Sequence, residues 1–248
     1  MAKSSGLGDN LYVGGYNLSG DIGSLSKISG GTKPIEVTAI DKSAMERIGG
    51  ERDGGLSWSA YFNTAVGQAH PVLSALPMAD EVVTYCRGTS LGDPAACTVA
   101  KQLNYDGNRT ASGEFTFAVD AEANGYGLGW GRQLTAGLRT DTAATAGASI
   151  DTTAALSFGA QAYLQVTAFA GTDVTIKIQD SADNVTFADV AGLAFTAVTA
   201  APFTQRIAIA NTATVRQYLR ATTVTTGGFT NCVFSVVIVK NEVAGVTF

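Results

Sequence analysis

Apolar and polar residues alternate with a period of two along most of this chain, the signature of half-buried β-strands. In GEFTFAVDAEA (113–123), Phe115, Phe117 and Val119 fall on one face and Glu114, Thr116, Ala118, Asp120 and Glu122 on the other. The same period marks IEVTAI (35–40), GLSWSAYFN (55–63), EVVTYCRG (81–88) and AACTVAKQLNY (95–105). It recurs in AYLQVTAF (162–169), DVTIKIQD (173–180), VTFADV (185–190), AFTAVT (194–199), FTQRIAIA (203–210), TVRQYLRATTV (214–224) and CVFSVVIVK (232–240). Two short helices interrupt the pattern. Ser43-x-x-Glu46 reads as a capping box opening a helix over SAMERI, and AVGQAHPVLSA (65–75) reads as a second, with Pro71 in its first turn.

The stretch 124–154 is rich in Gly, Ala and Thr, lacks an apolar period, and reads as a connector with a domain change near residue 141. The expected fold is mainly β. An N-terminal β-barrel or sandwich with one or two short helices covers 1–140, and an antiparallel β-sandwich able to fold alone covers 141–248. Residues 1–30 are Gly- and Ser-rich yet hold Leu11, Tyr12, Val13, Tyr16, Leu18, Ile22 and Leu25. An arm with so many apolar side chains needs a surface to cover, so these seven are candidate inter-subunit contacts. Deleting residues 1–20 is then expected to leave folded monomers that do not polymerise.

Composition narrows the function. The 248 residues carry 16 Lys and Arg against 21 Asp and Glu, a net charge of −5. With no basic cluster, a grip on nucleic acid through phosphates is not expected. No apolar run is long enough for a transmembrane helix, and MAKSSGLGDN lacks the apolar core of a secretory signal. The only histidine, His70, has no nucleophile motif around it, and the three cysteines lack metal-ligand spacing. Cys86 and Cys97 either pair across a hairpin or stay reduced. Gly125, Gly127, Gly129 and Gly131 form GxGxGxG, not the dinucleotide-binding GxGxxG. Asp180, Asp183 and Asn184 fit a turn better than a calcium loop. No enzyme activity, metal or cofactor is expected.

The strings GLGDNLYVGGYNLSGDIGSL, AIDKSAMERIGGERDGGLSWSAYFN and HPVLSALP…VTYCRGTSLGDPAAC, over roughly residues 6–140, resemble the major tail proteins, or tail tube subunits, of actinobacterial siphophages. The second part resembles an appended galactose-binding-like sandwich, through Ser181-Ala-Asp183-Asn-Val-Thr-Phe187 and Arg216-Gln-Tyr218-Leu-Arg220. The resemblance implies a self-assembling virion structural protein, made in the host cytoplasm and found in the tail. Its copies would form hexameric rings stacked head to tail, contacting other tail proteins. DNA would pass through the lumen during ejection without specific binding. The second part would decorate the outside, with weak contact to host-surface glycans, and no membrane partner is implied. A surface carbohydrate-binding or adhesin module is the alternative. Residues 1–140 hold 11 basic against 14 acidic residues. If they form the tube wall, Glu114, Asp120 and Glu122 are the expected lumen-facing carboxylates.

Overall fold

The computed structural model describes residues 5, 7–76 and 79–244. It is built of antiparallel strands with one short helix. The strands of the first part are β1 (Asn10–Val13), β2 (Tyr16–Asn17), β3 (Ile22–Glu36), β4 (Arg47–Tyr61), β5 (Glu81–Cys86), β6 (Pro94–Gln102), β7 (Asp106–Arg109), β8 (Phe115–Ala123), β9 (Gly129–Gln133) and β10 (Arg139–Asp141). Helix α1 (Ala69–Leu73) lies between β4 and β5. The second part adds β11 (Ile150–Asp151), β12 (Ala160–Gly171), β13 (Thr175–Ser181), β14 (Ala188–Ala194), β15 (Phe203–Ala208), β16 (Tyr218–Val224) and β17 (Phe229–Lys240).

Three apolar clusters explain the layering. One packs Leu56, Trp58 and Ala60 of β4 and Val119 and Ala121 of β8 against Leu11, Val13, Val83 and Ala96, with Leu73 of α1 at its end. A second lies on the opposite face of β1, β5 and β6: Tyr12, Val82, Cys86, Ala95, Cys97 and Val99 meet Tyr163, Val237 and Val239. The third fills the sandwich between β12 and β17 and the four-stranded sheet β11-β16-β13-β14, with Ile176, Ile178, Leu193 and Leu219 facing Leu164, Phe234, Val236 and Ile238. Strands β1, β5 and β6 are thus covered on both faces.

Strand β6 is a branch point. Along one edge it pairs β9 through Pro94–Cys97 and β8 through Ala100–Gln102, and along the other it pairs β5. The thirteen-stranded sheet then runs β15-β12-β17-β9-β6-β5-β1-β2, with β2 and β15 as its ends, so no barrel closes. The ends approach each other all the same. Gly15, at φ 85°, sits where an added Cβ would meet Pro202 Cβ at 2.8 Å and the Phe203 backbone N at 2.9 Å. Buried Gln165 of β12 bridges the gap. Its Oε1 accepts from Gly15 N at 2.8 Å, and its Nε2 donates to Val82 O at 2.8 Å and Thr84 Oγ1 at 3.2 Å.

Several expectations change. The capping-box helix is absent: Ser43–Glu46 lie in the turn of the β3–β4 hairpin, where the Glu46 backbone N donates to Thr38 Oγ1 and its carbonyl accepts from Val37 N. A strand register across the hairpin outweighs a local helix signal worth about 1 kcal/mol. The helix over 65–75 shrinks to Ala69–Leu73, with Pro71 in its first turn; the buried Asp21 carboxylate accepts from Ala69 N at 2.9 Å and so caps it. The connector contains β9, β10 and β11, and its glycines serve packing: a Cβ on Gly131 would lie 2.2 Å from Ile238 O of β17. AFTAVT forms no strand beyond a bridge from Val198 to Val174, although Phe195 and Val198 are core residues.

The sandwich cluster draws almost wholly on residues 150–238. Strand pairing joins the two parts. β17 pairs β9 and β10 of the first part, and β10 is itself held by a buried ion pair. Arg139 donates to Asp141 through Nε (2.7 Å) and Nη2 (2.6 Å) and to Ala221 O through Nη1 (2.9 Å), while Thr223 Oγ1 donates to Asp141 Oδ2 (2.7 Å). Two residues of β10 thus tie the large sheet to β16 of the small one.

Cys86, Cys97 and Cys232 are free and buried. The register sets Cys86 opposite Ala95 and Cys97 opposite Thr84, so the two are diagonal neighbours, not a cross-strand pair. Burial pushes Cys86 and Cys232 up to about 12 and Cys97 well above its ordinary value. The thiolate is the reactive form, so all three should resist a disulfide reagent at pH 8 in the native protein and react together in denaturant. Rapid labelling of any one of them without denaturant would show that its strand opens locally.

Candidate assembly surface

The feature that stands clear of this body is the β3–β4 hairpin. Its strands pair from Ile22↔Ala60 out to Glu36↔Arg47, and fifteen residues of strand span about 50 Å. The inner half of β4 is core, through Leu56, Trp58 and Ala60. Surface ion pairs brace the middle: Lys27 with Glu122 (2.8 Å) and Lys33 with Asp53 (2.8 Å). Beyond Pro34 and Gly49 the ribbon is exposed on both faces, yet it carries Ile35, Val37, Ile40, Met45 and Ile48, with Ile35 directly opposite Ile48 and Ile40 fully exposed. A two-stranded ribbon is marginal in water by itself, and solvated apolar side chains at its tip add to that cost.

A second exposed patch lies at the other end of the same strands. Phe62, just past β4, packs on Phe115 at 5.1 Å and on His70 at 4.5 Å between ring centroids, and Tyr105 stacks on Phe117 at 4.1 Å. Phe62 and Phe115 are exposed, as is Val66 beside them in sequence. His70 Nδ1 lies 3.2 Å from the Tyr105 hydroxyl, within this aromatic patch. Phe115, expected in the core, is instead 38% exposed at the margin, where the β7–β8 pairing ends and Phe62 packs against it.

The seven arm residues divide. Leu11, Tyr12, Val13 and Leu18 are buried inside this chain, and β1 pairs β5 throughout its length. Tyr16, Ile22 and Leu25 are half-buried and pack at the edge of the cluster around Trp58. Removing residues 1–20 would therefore strip Tyr12 and Leu18 from two cores, and folded monomers are no longer the expected result. Asp120 and Glu122 share one face of β8, opposite Phe117, Val119 and Ala121, while Glu114 precedes the strand and is exposed. Asp120 accepts from Asn104 Nδ2 (3.0 Å), and Glu122 is paired with Lys27. The face therefore carries both signs of charge rather than three bare carboxylates.

The residues behind the galactose-binding resemblance serve the fold. Asp183 Oδ1 accepts from Val185 N, Thr186 N and Ser181 Oγ, forming a turn, and these bonds to the carboxylate lower its pKa to about 2. Arg220 lies over the Phe187 ring at 4.0 Å, and Arg216 N donates to Asp180. Among the described residues no group of three or more His, Cys, Asp or Glu is placed to hold a metal, and no helix is long and apolar enough to cross a membrane.

No family model matches the sequence, and no curated protein matches it. Among solved structures, a chain from the tail of an empty GTA particle, refined helically with C6 symmetry, aligns at a TM-score of 0.40 with 14% identity, over 52% of this chain and 97% of that one. The Dit protein of SPP1, described as a paradigm of the hub adsorption apparatus in phages infecting Gram-positive bacteria, aligns at 0.33 with 11% identity, over 93% of this chain and 98% of that one. At these scores neither likeness bears on what this chain does.

Proposed function

We propose that this chain is a structural protein of a phage tail that assembles with copies of itself through the β3–β4 hairpin. The observation that carries the reading is the exposed apolar ribbon tip, which gains a partner only outside its own chain. The sequence resemblance of residues 6–140 to tail tube subunits supplies the finer form: hexameric rings stacked head to tail into the siphophage tube through which DNA is ejected. In that form the tip and the Phe62–Phe115 patch, at opposite ends of one hairpin, are suited to a heterologous contact that repeats along an axis. Tyr16, Ile22 and Leu25 would meet a neighbour within the ring. Residues 1–140 would build the wall, with Glu114, Asp120 and Glu122 toward the lumen, and 141–248 would lie outside.

The test is the double variant Ile40→Asp, Met45→Asp. Both positions are exposed, so its melting temperature should stay within a few degrees of the parent. Wild-type protein should give rings or tubes by negative-stain microscopy, and the variant only monomers. Tubes from the variant, or a wild-type chain that stays monomeric at high concentration, would defeat the proposal.

A further inference from the structure

The chain has two tryptophans, and the structure treats them oppositely. Trp58 is 2% exposed within a core, whereas Trp130 is 53% exposed although β9 is flanked by β6 and β17. Its ring stands in a row across three strands, Tyr85–Ala96–Trp130, and meets Tyr85 edge-on at 6.4 Å. Beside it a groove of about 340 Å³ is floored by Trp130, Arg132 and Ile238 and walled by Asp151, Thr152, Lys240 and Glu242.

The wall is held in place before any ligand arrives. Asp151 Oδ1 accepts from Thr153 N (2.6 Å) and Gln217 Nε2 (2.9 Å), and Thr152 Oγ1 donates to Gln217 O (2.6 Å). Lys240 Nζ is spent on Thr152 Oγ1, Ala154 O and Arg216 O, at 2.9, 2.7 and 3.3 Å. Lining the groove besides these are Asp151, Glu242 and Arg132, whose Nη1 donates to Gly92 O at 3.2 Å.

We propose that this groove binds a neutral pyranose unit of a polysaccharide. A flat exposed aromatic face suits the C–H face of a sugar ring, and fixed acceptors and a donor at its rim suit hydroxyls, which both give and accept hydrogen bonds. The formal charges of Arg132, Lys240, Asp151 and Glu242 cancel, so neither an anion nor a cation is favoured. The volume falls within the range of small-ligand sites. The groove shares no residue with the β3–β4 hairpin, so its failure and the failure of hairpin-mediated assembly are distinguishable.

Acrylamide quenching of the full chain tests it, since the accessible fluorescence comes from Trp130. The probes are the methyl pyranosides of glucose, galactose, mannose, rhamnose and N-acetylglucosamine, each titrated to about 50 mM, beyond the millimolar dissociation constants expected of single sugars. At least one should cut the quenching constant twofold or more. Its saturation-transfer NMR signal should be lost in Trp130→Ala and weakened in Asp151→Asn, which keeps the Oδ1 bonds. No protection by any of the five overturns the proposal. So does a sugar signal that survives in Trp130→Ala. Loss of Trp130 accessibility on assembly without sugar would assign the groove to a neighbouring copy and also overturn it.

Discussion

Asp141→Ala should destabilise the whole protein by about 3–5 kcal/mol, because it strands the buried Arg139 guanidinium without its carboxylate. For a chain of this size that lowers the melting temperature by roughly 2–4 °C per kcal/mol, or about 10 °C. The arrangement is bidentate, and the two side chains are only 16% and 4% exposed, so solvent screens it little. Thr223 Oγ1 also loses its shorter bond, one of those between β10 and β16, and as a donor keeps only the longer one to Thr145 O at 3.3 Å. Calorimetry should show one transition moved down. The double variant Arg139→Met, Asp141→Leu removes both charges and should cost much less than Asp141→Ala. A change below about 1 kcal/mol for Asp141→Ala would show that water reaches this pair.

Gln165→Leu should cost about 2–4 kcal/mol with little change of volume. The loss comes from polar groups left behind in a dry place: Gly15 N loses its acceptor, and Thr84 Oγ1 loses its donor. Val82 O is spared, because Gly14 N also donates to it at 3.1 Å. Amide exchange gives the specific readout. The Gly15 amide, protected in the parent, should exchange many times faster in the variant, ahead of global unfolding. Unchanged exchange at Gly15 would mean that the turn between β1 and β2 is held by its packing on Pro202 and Phe203 alone.

How much of this was legible in the sequence depends on the range of the signal. Period-two patterns located β4, β5, β6, β8, β12, β13, β16 and β17, since each strand has at least one face turned to a core. The inward set Phe117, Val119 and Ala121 follows directly from alternation, and Phe115 departs from it at the margin where the β7–β8 pairing ends. The Leu11-Tyr12-Val13 triplet did carry a signal: three consecutive apolar residues suit a strand buried on both faces, and an exposed-arm reading passes over that. Ser43–Glu46 misled because capping chemistry is local and hairpin register is not. Strand β9 was hidden because its glycines serve a close approach to β17, a strand about a hundred residues away. The ribbon tip was readable as apolar residues, but only the register shows that nothing among the described residues covers them. Trp130 was equally silent, because exposure in mid-sheet depends on which neighbouring strands leave a face open.

The position of β17 has a kinetic consequence. It pairs β12, β9 and β10, and so lies in the interior of a sheet whose other members are all made before it. During synthesis, the nascent chain holds β9 and β12 with open edges until residues 229–240 leave the ribosome. The sandwich core and the cluster around Tyr163 cannot close in that interval, since both need β17 side chains. Folding therefore waits for a pairing of high sequence separation, which is slow and leaves strand edges available to other chains. The chain thus passes first through a state prone to join its neighbours in the wrong way. A pulse-chase comparison of chains arrested before and after residue 240 should show protease resistance appearing only in the longer one.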